Sequence, residues 1–310
     1  MARGPQPGPK RIFRYTPWDA VPALLVFLHL GALVAFVLAW PAMTWPARLA
    51  CAALYGVAIG WNQDAVAHNF IHNPFFTSKA LNRATELALT LANGTPQTMY
   101  RYVHMRHHAG DSDRPDARGE TVDPISIYRH GSGGRAEAMH TYVLLGFWRD
   151  DGPFTVARAI RARRPAEARR ALEEFWLMAA VYGALLIWRW PLVATLAPFY
   201  YLGQSLSFLI AYYEHFGADP DDRAATGVST YEPVYNWAFL NNGYHAEHHF
   251  QPGRHWTQMA TLRREMDVAR LGPRPRIGLA HFLGFLDGGE GLRLAPELRA
   301  SVASRRPGPG

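Results

Sequence analysis

The sequence predicts an all-α integral membrane protein: four transmembrane helices in two hairpins beneath a cytosolic helical cap. Three observations predict it. Of the 310 residues, 49% are hydrophobic and only 18% charged, below the roughly 25% charged content usual in soluble domains. The mean hydropathy of −0.14 hides segregation, because apolar residues fall in a few blocks and arginines in others. Finally, the blocks come as two pairs, each joined by a very short turn, and most of the 14 histidines lie where the blocks end.

Taken in order, residues 1–17 are rich in Pro, Gly and basic side chains and read as a disordered basic N-terminus. Residues 21–40 form an apolar run of spanning length, broken only by His29. The run is too long for a signal peptide and lacks a small-residue cleavage site. A Pro/Trp turn at 41–46 leads to a second block, 49–61. Residues 62–72 continue it without Gly or Pro, so one helix leaves the membrane carrying His68 and His72. Residues 80–95 read as a segment dipping into the interface, 97–108 as a helix, and 109–135 as a polar cytosolic loop. Seven arginines among apolar residues in 149–170 predict a helix lying on the membrane surface. The second pair follows: 175–188, a tight turn at Arg189-Trp190-Pro191, then 192–213. One domain is expected over 18–300, and 301–310 reads as a disordered tail.

Charge sets the orientation and excludes some functions. The net charge is +7, carried almost wholly by arginine since Lys10 and Lys79 are the only lysines. These bases flank apolar blocks, which points to an anionic membrane surface rather than nucleic acid. The two inter-helix turns hold only Arg48 and Arg189, so the positive-inside rule puts both termini and every histidine cluster in the cytosol. The single cysteine, Cys51, excludes an internal disulfide and any cysteine-ligated zinc or iron–sulfur site. Redox chemistry here must use other ligands.

Histidine supplies them. His68-Asn-Phe-Ile-His72 places two imidazoles on one helical face. His104-Met-Arg-His107-His108 and His245-Ala-Glu-His248-His249 each put positions i, i+3 and i+4 on one side, with the adjacent pair splayed toward different ions. A ninth candidate, His215, stands in Tyr212-Tyr213-Glu214-His215-Phe216-Gly217, where the fourth span ends. Nine imidazoles exceed one tetrahedral zinc but suit two ions with four or five ligands each; imidazole alone leaves iron, zinc, copper and nickel open.

HNFIHNPFF, HMRHH and HAEHH, in this order around paired spans, resemble the membrane-bound fatty acid desaturase superfamily over about residues 20–260. YYEHFG is similar to the extra histidine motif of the alkane hydroxylase branch, with Ala211 where that motif begins with Asn. NNGYHAEHHF followed by PGRHW resembles bacterial desaturase-like sequences. Asn69 and Asn73 depart from the HExxHK first box of alkane hydroxylases. The resemblance implies a non-haem di-iron centre in a bacterial inner membrane, consuming O2 and two electrons. Its ligands would be His68, His72, His104, His107, His108, His215, His245, His248 and His249. It implies fatty acyl desaturation as the reaction. Hydroxylation or oxidative decarboxylation of an alkyl or acyl chain, or carotenoid oxidation, are alternatives on the same scaffold. Neither an HPGG-like haem motif nor a nucleotide-binding glycine fingerprint occurs. The electrons would therefore come from a separate ferredoxin, rubredoxin or cytochrome with its reductase. A non-catalytic metal sensor or transporter is a further alternative; a transporter would bury ionisable groups within its spans, where only His29 lies.

Around the boxes, Asp64, Asp111, Asp113, Glu214 and Glu247 could each orient a ligand but read more simply as solvated acids. Asn241 and Asn242 either touch the metals or make the turn before the last box. His29 reads as a neutral imidazole bonded to another helix. His130, His140 and His281 read as surface residues, and His255 lacks ligand spacing.

Overall fold

The computed structural model describes residues 11–149, 151–272 and 274–287; the expected tail at 301–310 lies outside them. The chain is mostly helical. Helices α1 (Ala20–Ala39) and α2 (Trp45–Trp61) are joined by a single 3-10 turn. Arg48 donates to the Trp40 carbonyl and lies 4.5 Å over its ring, which fixes the turn. The inner face of α1, with Val26, Leu33 and Phe36, is buried, while Leu24, Phe27, Leu28, Val34 and Leu38 point outward. An apolar exterior of this kind suits lipid rather than water.

Helix α2 does not end at Trp61. It passes into a π-helical segment, Asn62–Ala67, and then α3, His68–His72, so the expected single helix carrying the first box is present with a π-segment inside it. Such segments recur at functional sites because they shift the side chains that follow. α4 (Lys79–Asn93) docks through Arg83, which pairs with Glu86, Glu173 and the fully buried Glu174. α5 (Gln97–Gly110) carries the second box, α6 spans Met139–Arg149 and α7 Pro153–Arg161.

The 51-residue element α8, Pro165–His215, has a non-helical Arg189 (φ −142°, ψ 50°) and folds back there. The Tyr182 hydroxyl donates to the Leu91 carbonyl at 2.6 Å and that of Tyr200 to the Gly94 carbonyl at 2.9 Å. On a straight helix those tyrosines would stand about 27 Å apart, so the two halves run antiparallel. The second half lies close against α2. A Cβ added to Gly203 would sit 2.4 Å from the Gly56 carbonyl oxygen, and one added to Gly60 2.9 Å from that of Gly203. Only glycine allows this approach. Two elements, Pro17–Ala42 and Pro165–His215, are long and apolar enough to cross a membrane.

Beyond α8 come β1 (Ser229–Thr230), α9 (Pro233–Ala238), α10 (His245–Phe250), α11 (Met259–Val268) and β2 (Arg276–Ile277), β1 and β2 pairing in parallel. Two expectations are corrected. Residues 149–170 are not one surface helix: α7 ends at Arg161 and α8 begins at Pro165. A proline lacks the amide that a continuing helix needs and suits a first turn. The apolar face of α7, Val156, Ala157 and Ile160, packs on Met99, Ala168 and Ala171. Residues 11–17, expected to be disordered, pair with 75–77 through Arg14 N to Phe75 O (2.8 Å) and Thr77 N to Ile12 O (3.0 Å), and Thr16 caps the turn before α1.

Candidate metal centre

The nine candidate histidines, spread along the chain from His68 to His249, converge into two groups. Ligand atoms of His68, His72, His104, His108 and His248 lie within 4.8 Å of one another, and so do those of His107, His215, His245 and His249. Helical geometry does the sorting. On α5, His104 and His108 share a face and enter the first group, while His107 turns into the second; on α10, His248 enters the first group while His245 and His249 enter the second.

The ring nitrogens point inward at one another. Nε2 of His68 lies 2.9 Å from that of His248, His104 2.9 Å from His72, and His248 3.0 Å from His108. In the second group His215 Nε2 is 3.0 Å from that of His107 and 3.0 Å from that of His245. The outward nitrogens decide what these distances mean. Nδ1 of His68 donates to Asn242 Oδ1 (2.9 Å), of His107 to Asp123 Oδ2 (2.7 Å), of His215 to the Thr226 carbonyl (3.0 Å), and of His249 to Asp111 Oδ1 (2.7 Å). Carbonyls and carboxylates only accept, so each of these rings carries a proton on its outer nitrogen and turns Nε2 inward.

Burial first, and the neighbouring imidazoles second, push His104, His108, His245, His248 and His249 well below the ordinary imidazole range. They are therefore neutral. Nε2 of His107 and Nε2 of His215 face each other at 3.0 Å, and the buried His249 Nε2 has no hydrogen-bond partner. Lone pairs converging at this range repel unless a cation lies among them. Nitrogens bonded to one ion at about 2.1 Å and at right angles stand about 3.0 Å apart, so this donor set fits two ions. Imidazole ligands with hydrogen-bonded outer nitrogens are the usual arrangement at such sites.

The surrounding acids divide in a way their sequence positions do not show. Asp111, left-handed at φ 50° where α5 ends, reaches His249; burial raises its carboxyl to about 6. Glu214 Oε1 lies 3.5 Å from His245 Nδ1. Asp64 offers His68 its backbone carbonyl at 3.2 Å, while its carboxylate accepts from Ser207. Asp113 accepts from the amides of Val122 and Asp123 and builds the loop. Glu247 accepts from Ser229 and Tyr231, tying α10 to β1. Neither of the last two touches a histidine of the groups.

Asp123 was not singled out in the sequence, where it is one of several acids in a polar loop 16 positions from its partner. Burial works to raise its carboxyl, but the His107 ring and the hydrogen bonds it accepts hold it below the usual range. Asn242 touches His68, whereas Asn241 donates to the Trp256 carbonyl. Among the outlying histidines, His281 is a correction: it is fully buried and Nε2 donates to the Val228 carbonyl at 2.9 Å. His29 is buried with neither nitrogen hydrogen-bonded, its ring 5.7 Å from that of Tyr55, so the expected bond to another helix is absent. His255 bonds Asp19 at 2.7 Å, and His130 and His140 are exposed.

A mostly helical chain whose apolar helices lead to two adjacent histidine groups able to hold metal ions is the class of protein that this fold and site define. A family model described as fatty acid desaturase matches residues 43–275, well over half of the chain, and the protein belongs to that family. No curated protein matches it.

Proposed function

We propose that this chain is an integral membrane enzyme of four spans in two hairpins, with both termini and the histidine groups on the cytosolic side, that desaturates a fatty acyl chain. The observation that carries the reading is the convergence of nine imidazoles, ring nitrogens inward, into two adjacent groups. His68, His72, His104, His108 and His248 would hold one iron and His107, His215, His245 and His249 the other. Bound there, two irons would supply O2 activation and removal of hydrogen from an unactivated C–H bond.

The rest of the work falls to the protein. Asp111, Asp123, Asn242 and the Thr226 carbonyl hold the rings in the tautomer that aims Nε2 inward. An apolar cavity of about 340 Å³ runs between α5 and α8, lined by Met99, Tyr100, Val103, Phe175 and Phe208. The Tyr100 ring lies 5.8 Å from that of His104, so a hydrocarbon chain in this cavity would pass beside the first group. Positioning of this kind selects the carbon attacked. A second apolar cavity of about 280 Å³, between the two halves of α8, shares Gly94, Met178 and Tyr200 with the first and gives the chain room within the membrane.

Electrons would come from a ferredoxin, rubredoxin or cytochrome with its reductase. A cleft of about 550 Å³ beside α5, lined by Arg101, Arg106, Arg163, Arg164 and Arg170 against Glu86 and Glu167, supports docking of an acidic carrier.

The test compares lipid extracts of bacteria expressing the wild type and His248→Ala by mass spectrometry. Acyl chains lacking two hydrogens are expected from the wild type alone. Chains that instead gain oxygen or lose the carboxyl carbon would move the reaction to hydroxylation or decarboxylation, and full activity in His248→Ala would overturn the ligand set.

A further inference from the structure

On the side of the histidines facing away from the metal positions, one amide stands between the two groups. Asn242 Oδ1 accepts from His68 Nδ1 at 2.9 Å, and its Nδ2 donates to Glu214 Oε1 at 2.7 Å. The same carboxylate oxygen lies 3.5 Å from Nδ1 of His245, a nitrogen with no hydrogen bond elsewhere among the described residues. His68 belongs to the first group and His245 to the second. All four side chains are buried, and Glu214 sits on α8 beside His215. In the structure the NH2 of the amide faces Glu214 and its oxygen faces His68. The backbone supports the placement, because Leu240 and Asn241 both adopt left-handed conformations (φ 51° and 63°). Non-glycine residues hold this region at a cost and only where the surroundings demand it.

We infer that Asn242 is a positioning residue that couples the two metal positions through the path His68–Asn242–Glu214–His245. The inference rests on the two-iron reading above. No other side chain among the described residues is hydrogen-bonded both to a first-group ring and to an acid facing a second-group ring. Asp111 and Asp123 are each hydrogen-bonded to a single group histidine, His249 and His107, both of the second group, although Asp111 also lies within 4.8 Å of the first-group His108.

Anaerobic Fe(II) titration of the full-length protein in lipid nanodiscs, with Mössbauer spectra of the loaded forms, tests it without reference to activity. The wild type is expected to bind two irons. Asn242→Ala should weaken both about 10- to 100-fold, the usual effect of losing a ligand's outer hydrogen bond, and should alter the spectra of both irons. Asn242→Asp keeps the acceptor for His68 but removes the donor to Glu214, so it should alter only the second-group iron, as Asp123→Asn should. An Asn242→Ala spectrum changed at one iron or at neither, with two bound in the wild type, overturns the coupling while leaving the proposed function intact. If Asn242→Ala does not fold, the nearly isosteric Asn242→Asp decides: an unchanged second iron overturns the inference. A wild type that binds no iron overturns both.

Discussion

At the scale of the residue, the lone pairs of nine imidazoles are organised by a handful of hydrogen bonds. Asp123 is the plainest case, since its carboxylate fixes the tautomer of His107 at 2.7 Å. Asp123→Ala should leave that ring free to carry its proton at either nitrogen and should lower iron affinity at the second group about 10- to 100-fold, read by Fe(II) titration of the purified protein. Loss of affinity at the first group instead would show that His107 serves the other ion. Eight of the nine clustered histidines were legible from their spacing along a helix, where i, i+3 and i+4 fall on one side; His215 was legible from its place at the end of the fourth span and its motif. Their partners were not. Asp123 sits 16 positions from His107, Asn242 lies 174 from His68 and Asp111 lies 138 from His249. Only the fold selects them from acids and amides that look alike on the page. His281 was misread for the same reason, since nothing local shows that it packs against Val228, Tyr235 and Glu214.

At the scale of the element, apolar periodicity located the helices well, and local backbone chemistry decided the details. The continuation of α2 through 62–72 was readable from the absence of Gly and Pro, but the π-segment was not, because its side chains are ordinary helix formers and its widened turn is held by tertiary packing. The break before Pro165 follows a known rule that the arginine pattern concealed. Helix α2 packs closely on α8 through Gly56, Gly60 and Gly203. Gly203→Leu should drive a side chain into the Gly56 carbonyl. Overpacking of this sort costs about 1–3 kcal/mol, so a lowered melting temperature in detergent is expected; an unchanged one would mean that the helices separate freely there.

At the scale of the whole molecule, the connections of both hairpins are marked by tryptophans: Trp40 and Trp45 at the first turn, Trp188 and Trp190 at the second. Three of these are exposed, and Ile187 beside the second turn is 88% exposed. Trp enrichment of this kind belongs at a membrane–water boundary. With Cys51 first replaced by alanine, Ile187→Cys should react with a membrane-impermeant thiol reagent applied to the outside of intact cells, and Arg170→Cys should react only after lysis. The reverse pattern would invert the proposed orientation. Hairpin pairing was legible from block lengths and the arginine-poor turns. The way 11–17 is stitched to 75–77 was not, since a backbone bridge of so few residues leaves no periodic trace.

The interleaving of α5 and α10 has a consequence for how this protein can change. His107 and His108 are consecutive in the chain yet serve different groups, and so are His248 and His249. Inserting or deleting one residue within either box would rotate everything beyond it by about 100°, misdirecting donors of both groups at once. The boxes are therefore closed to length variation, and no stepwise route removes one metal position while sparing the other by shortening a helix. Between the boxes the constraint relaxes, except where Asp111, Asp123, Glu214, His215 and Asn242 must reach the two groups. Divergence in length is thus expected to concentrate in the connections, with the boxes changing by substitution alone.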